Sequence, residues 1–256
     1  SVVQNIDRLI FSSQGELRNE KDNLFRSLFR HSADYVAIID AISKKGKGLT
    51  RTEILEETKL NNNALFGKRL EELEKCNFIR KYKDYSGRQR QTVFQLIDPL
   101  CHFWNAVVSK NETKDECFWT HTQLSPLFNT WCGFAFEMLC LNHVQQLKQI
   151  LGISGIQTNV YSWRTTGQET PGAQIDLLID RADRCVNLCE MKFSRGEYEI
   201  TKTEREKIEN RATRFMQYAE PRKSIRLTMI TSFGLKPNTH SSIIQSQITL
   251  DDLFRA

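Results

Sequence analysis

No stretch of this sequence approaches the roughly 18 consecutive apolar residues that a membrane-spanning helix requires. Asp7 and Arg8 break the N-terminal apolar pattern before the core of a signal peptide could form. The expectation is therefore a soluble chain at work in the cytoplasm, with no membrane partner. Paired CxxC motifs are missing as well. The seven cysteines, at 76, 101, 117, 132, 140, 185 and 189, are odd in number and scattered among apolar neighbours. That suits reduced, buried thiols better than a disulfide framework or a structural zinc site. The histidines (His31, His102, His121, His143 and His240) show no ligand spacing. No Gly-x-x-x-x-Gly-Lys-Ser/Thr string occurs, so a P-loop is excluded from these residues. Internal repeats and low-complexity tracts are absent, and the composition is wrong for disorder, collagen or coiled coil.

What is present is the raw material of a globular core: 256 residues, 39% hydrophobic and 26% charged, with 15 Phe and 4 Trp. Domains usually run to about 100–200 residues, so two are expected. The net charge of +5 divides unevenly. Residues 1–110 hold 19 Lys and Arg against 14 Asp and Glu, and residues 111–256 hold 17 against 17. A basic first module that meets a polyanion, followed by a neutral second module, fits this division.

Through Phe29 the apolar residues Leu24, Phe25, Leu28 and Phe29 have helical spacing but no core of their own, and the chain starts with Ser. Residues 1–33 read as the tail of a preceding segment. Tyr35, Ile38, Ile39 and Ile42 then mark the buried stripe of a helix. Thr50 stands three residues before Glu53, a capping box that begins a second helix. Asn61 is the expected cap of a third, with Leu65, Leu70 and Leu73 on its apolar side and Lys68 and Arg69 on the other. Residues 78–82, 85–88 and 92–96 read as strand, turn and strand. Three helices and a hairpin make a winged helix-turn-helix, placed at 34–110.

Residues 99–126, with Phe103, Trp104, Phe118 and Trp119 set among charges, read as a connector. The second module, 111–256, reads as a helix from about Leu127 to Leu147, strands near 156–163, 174–180 and 185–193, a helix at about 201–219, the strand Ile225–Thr231 and a β stretch near Ile248. The fold class is thus α+β or α/β, a mixed sheet flanked by helices.

The second module offers Glu137 on its first helix, Asp176 on a strand, and Glu190-Met191-Lys192 on the next strand. Hydrolysis of a phosphodiester calls for a divalent metal held by hard carboxylate oxygens, which Asp176 and Glu190 can supply, with Glu137 completing the set. Strand alternation puts Glu190 and Lys192 on one face, where the ammonium can serve the attacking water or the scissile phosphate. Glu-x-Lys alone more often marks a solvated strand, but Asp176 and Glu190 both interrupt apolar strands, where burial demands a partner. A buried structural ion pair is the competing explanation.

The site also demands a register. A four-residue loop at 181–184 would pair Asp180 with Cys185 and send Asp176 and Glu190 to opposite faces. An odd loop such as Ala182-Asp183-Arg184, or a bulge, pairs Asp176 with Glu190 and Gln174 with Lys192. It also turns Ile175, Leu177 and Ile179 to the other side with Cys189 and Met191. In the first module, Arg80, Lys81, Lys83, Arg88 and Arg90 face only Asp84 within residues 78–92, a charge pattern suited to phosphates. Against DNA contact, Lys68 and Arg69 are offset by Glu71, Glu72 and Glu74.

Long strings carry a resemblance: Gly48-Leu49-Thr50-Arg51-Thr52-Glu53-Ile54, Phe78-Ile79-Arg80-Lys81-Tyr82, Gln95-Leu96-Ile97-Asp98-Pro99, Trp131-Cys132-Gly133-Phe134-Ala135-Phe136-Glu137, residues 172–181 and residues 187–194. They resemble the C-terminal part of a family of prokaryotic, archaeal-type AAA ATPases, in which a winged helix precedes a PD-(D/E)XK nuclease-like domain. The resemblance implies an ATPase-coupled DNA-processing protein whose ATP site lies on an N-terminal ATPase domain outside this chain. It implies Mg²⁺- or Mn²⁺-dependent DNA hydrolysis at Glu137, Asp176, Glu190 and Lys192, with Gln174 positioning water or substrate. Ile175 stands where the motif has Pro. Two rival readings stay open: a non-catalytic DNA-binding or regulatory module on a degenerate nuclease fold, and a protein-interaction platform for the ATPase. The oligomeric state is not written in the sequence.

Overall fold

A computed structural model describes every residue except 47, 86–91, 166–172, 219–222 and 256. The chain is mixed α/β, with ten α-helices and eight strands among the described residues. It divides into two units, one of Ser1–Lys81 with Val93–Ala135 and the other of Tyr82–Thr92 with Phe136–Ala256.

In the first unit, α1 (Val2–Ile6) and α2 (Glu20–Leu28) precede α3 (Ser32–Ser43), which buries the expected stripe of Tyr35, Ile38, Ile39 and Ile42. After β1 (Leu49–Thr50), α4 (Arg51–Thr58) begins at the expected capping box. There the Thr50 N–H donates to Glu53 Oε2 at 2.7 Å, and the Glu53 N–H donates to Thr50 Oγ1 at 3.3 Å. The helix α5 (Ala64–Lys75) is capped by Asn63 rather than Asn61, since Asn63 Oδ1 accepts from the Phe66 N–H at 3.0 Å. The later start sets the buried face at Phe66, Leu70 and Leu73, and leaves Leu65 47% exposed.

The strands β2 (Ile79–Asp84) and β3 (Thr92–Leu96) are neighbours, and β1 pairs antiparallel with β3. The opening residues share this core. Phe25 is fully buried among Ile38, Leu73 and Phe78, and the Phe29 ring stacks on Tyr35 with centroids 3.9 Å apart. A second cluster forms around α6 (Pro99–Ala106), α7 (Phe118–Thr122) and the start of α8 (Pro126–Asn142). In it the buried Asp7 carboxylate accepts from the Trp119 N–H at 2.8 Å and the Thr120 N–H at 3.1 Å, satisfying the free amides that open α7.

The expected helix through Leu147 is two helices. The chain leaves α-helical geometry at His143 (φ −108°, ψ 28°) and resumes in α9 (Val144–Ile150). The His143 ring Nδ1 lies 2.8 Å from the Leu139 carbonyl, so the side chain shares the acceptor that a continuing helix gives to backbone alone. In the second unit follow β4 (Thr158–Thr165), β5 (Ala173–Arg181), β6 (Cys185–Lys192), α10 (Lys202–Tyr218), β7 (Ser224–Thr231) and β8 (Ser246–Thr249). The strand order is β4-β5-β6-β7-β8. The pairs β4-β5 and β5-β6 are antiparallel, while β6-β7 and β7-β8 are parallel, and the tip of β2 runs parallel to β4 through Lys83 and Tyr161.

Parallel neighbours need a crossover, which α10 supplies between β6 and β7. Alternation gives this sheet two apolar faces. Leu177, Ile179, Cys189 and Met191 pack with Phe136, Cys140 and Leu147 from α8 and α9. Leu178, Val186 and Leu188 pack with Ala212 and Phe215 from α10. All seven cysteines are free thiols; Cys101, Cys132, Cys140 and Cys189 are buried as expected, but Cys76 and Cys117 are exposed.

Candidate active site

Three residues, Ala182-Asp183-Arg184, join β5 to β6, and Arg184 adopts the left-handed conformation (φ 64°) that often closes a hairpin loop of this length. The ladder runs from Asp180 opposite Val186, through Ile179–Asn187 and Leu178–Leu188, to Leu177 opposite Cys189. This is the odd-loop register. The pairing stops at Leu177–Cys189, one step short of Asp176 and Glu190.

One detail differs from expectation. Ile175 packs with Leu178, Val186 and Leu188 instead of with Leu177 and Ile179. The reason is a bulge on the other side of β5. Between the pairs Tyr161–Leu178 and Trp163–Ile175, β5 places Asp176 and Leu177 against the single residue Ser162 of β4. The extra residue reverses the facing of Ile175, and bulges of this kind recur where a side chain must be re-aimed next to a site.

Around this point the polar side chains meet. Gln174 Nε2 donates to Asp176 Oδ1, as its position two residues away allows. Lys192 Nζ lies 3.0 Å from Glu190 Oε1. Arg211 of α10, which no sequence motif had singled out, donates through Nη1 to Glu190 Oε2 at 2.5 Å. The Glu190 side chain is only 17% exposed. Burial alone would push its carboxyl up, but Lys192 and Arg211 outweigh that and hold it below its ordinary value. Arg211 answers in kind: burial disfavours its charge, and the Glu190 and Asp176 carboxylates more than restore it. Asp176 and Glu190 therefore act on one guanidinium.

Glu137 sits half-buried on α8 between Phe136 and Met138, and Phe136 belongs to the same core cluster as Leu177 and Cys189. Its charge is felt one turn on, at the Cys140 thiol. Asp176 and Glu190 suit Mg²⁺ or Mn²⁺ in kind, being hard oxygen donors. Among the described residues, however, no three His, Cys, Asp or Glu side chains gather closely enough to hold an ion. Both Glu190 oxygens already face cations.

Of the basic residues of the first module, Arg69 differs from expectation. Arg69 is buried against Asp34 rather than turned outward, because the Asn63 cap sets the face of α5. Arg80 donates through Nε to Gln95 Oε1 at 2.9 Å. Lys81 pairs with Glu74 at 2.8 Å and Lys68 with Glu72 at 3.8 Å, both as exposed contacts. Lys83 is exposed. Arg88 and Arg90 lie outside the described residues. No helix among the described residues is long and apolar enough to cross a membrane. Comparison of the chain with family models, with curated proteins and with solved structures returns no match.

Proposed function

We propose that this chain is the winged-helix and nuclease-like part of an ATPase-coupled DNA-processing protein, and that it hydrolyses DNA phosphodiesters in a metal-dependent reaction. The observation that supports the reading is the three-residue hairpin loop, whose register, carried one step past the Leu177–Cys189 pair, would oppose Asp176 to Glu190 as a PD-(D/E)XK site needs. A bound Mg²⁺ or Mn²⁺ would act as a Lewis acid and lower the pKa of its water. Asp176 and Glu190 would hold it, whereas Glu137 belongs to α8, which packs on the sheet face of Leu177 and Cys189.

The chain's own groups have distinct tasks. Gln174 fixes the Asp176 carboxylate through its amide. Lys192, anchored on Glu190, presents an ammonium for the attacking water or the phosphate. Arg211 has further N–H donors beyond the one that Glu190 takes, and a guanidinium fork matches phosphate geometry. With both Glu190 oxygens engaged, substrate or ion must draw Arg211 partly away, and its transfer to phosphate would neutralise the charge that grows there.

The same saturation favours a second reading. A carboxylate held between two cations is also what a structural ion cluster looks like, and on that reading the nuclease fold is a scaffold for DNA binding or regulation of the ATPase. Incubating the purified chain with linear, circular and branched DNA in Mg²⁺ or Mn²⁺ tests the choice. Cleavage that is lost in Asp176→Ala and in Glu190→Ala, with both variants folded, is expected. DNA left intact under every condition would retire catalysis in favour of the scaffold.

A further inference from the structure

A cavity of about 100 Å³ opens beside Glu190, entirely within the second unit. Its wall includes Glu190 and Lys192 of β6, Tyr198, and Glu204, Lys207 and Arg211 of α10. Three of these are cations and two are carboxylates, which leaves the wall one positive charge in excess. Glu190 is held by Lys192 and Arg211, and Glu204 accepts from the Tyr198 hydroxyl and from Thr201. Burial, and then Glu204, push the Tyr198 phenol above its ordinary value, so it stays a neutral donor and adds no negative charge to the cavity.

Lys207 is exposed, and among the described residues no salt bridge reaches it. It stands four residues from Arg211 on α10, hence on the same helix face, where like charges repel. Glu190 compensates Arg211, and an incoming anion would compensate Lys207. The donors of Lys192, Lys207 and Arg211 together favour an anion with several acceptor oxygens.

We propose that this cavity binds a phosphate monoester, with Lys207 as its dedicated contact. A bridging phosphodiester carries one charge and two covalent arms. A monoester carries about −1.5 to −2 charges at neutral pH on three free oxygens and has a single arm, which suits a small recess with several cations in its wall. The proposal deepens the nuclease reading by making a phosphorylated strand end the substrate feature recognised beside the cut, but the binding itself needs no metal.

The test uses the full chain in EDTA, with inorganic phosphate as the first probe and acetate as the control anion. Phosphate should raise the melting temperature of the parent and of Lys207→Arg, and should barely move Lys207→Met; acetate should act on none of them. Lys207 is exposed, so these variants should fold. In the second arm, single-stranded oligonucleotides of one sequence carry a 5′ phosphate, a 3′ phosphate or free hydroxyls. A phosphorylated end should strengthen binding about tenfold, and Lys207→Met should erase that preference. A response to inorganic phosphate without end preference would support monoester binding and assign it to a free phosphate compound. No response in the parent, or equal responses in Lys207→Met, would overturn the proposal. Phosphate binding without metal-dependent cleavage would remove the nuclease reading alone, and cleavage without phosphate binding would remove this proposal alone.

Discussion

Arg211 reaches from α10 to Glu190 on β6 and closes a hydrogen bond of 2.5 Å with a carboxylate that Lys192 already holds at 3.0 Å. The guanidinium thus binds the crossover helix to the strand whose charge most needs compensation.

Removing that contact should cost stability in a graded way. In Arg211→Ala, Glu190 keeps Lys192 but loses half its neutralisation in a mostly buried position. The expected loss is about 1–3 kcal/mol, below the figure for a fully buried pair because Arg211 is 30% exposed. Arg211→Lys should lose less, since it retains charge but not the fork. Urea unfolding of the three proteins gives the order, and an Arg211→Ala midpoint equal to the parent's would mean that Glu190 gains nothing from the helix.

Metal binding should read out on the same carboxylates. Asp176 and Glu190 repel each other once the cations are drawn away, and an ion would relieve this. Mn²⁺ should therefore raise the melting temperature of the parent and hardly move that of Asp176→Ala. Equal shifts in both would exclude Asp176 as a ligand.

The hairpin shows why part of this site could be read in advance. A strand's side chains have period two, so requiring Asp176 and Glu190 to share a face left only registers with an odd loop or a bulge, and the loop between β5 and β6 has three residues. Capping chemistry is equally local, which is why Thr50 and Glu53 were legible. The Asn63 cap was harder, because three consecutive asparagines offer the same chemistry and only burial of Phe66 chooses among them. The bulge at Asp176–Leu177 depends on how β4 meets β5, and the partnership of Arg211 with Glu190 depends on packing of α10 against β6. Neither relation has a sequence spacing. The one available signal was Lys207 and Arg211 four apart on α10, two like charges on one helix face.

In the first unit, Tyr35 sets an alkaline limit. Its hydroxyl donates to Glu72, and burial, then Glu72, push the phenol from 10.0 up to about 12. A raised folded value means the native state holds this proton more tightly than the unfolded chain. The stabilisation is complete below about pH 10 and is lost as pH rises towards about 12. Tyr35→Phe lacks that group, so its melting temperature should fall less steeply than the parent's above about pH 10. Parallel alkaline curves for the two proteins would show that the phenol does not carry the dependence.

On the proposed reading, the basic residues of the first module would not all meet DNA. Lys68 and Lys81 each lie beside a carboxylate, Glu72 and Glu74, and Arg69 is turned inward to Asp34. A phosphate approaching α5 would have to displace glutamates that stay where they are and repel it. Neutralising Lys68 and Lys81 together should therefore change DNA affinity by less than about threefold, the size of an exposed pair's contribution. Arg88 and Arg90 have only Asp84 as an acidic neighbour within residues 78–92 of the sequence. If they make two phosphate contacts, replacing both with Ala should weaken binding alike across DNA sequences, because phosphate contacts position a protein without reading bases. The same double variant should flatten the plot of log affinity against log salt by about 1.8, two phosphates at about 0.9 each. Fluorescence anisotropy across a salt series measures both quantities. An unchanged slope in the arginine variant, or a large one in the lysine variant, would move the DNA contact away from the hairpin.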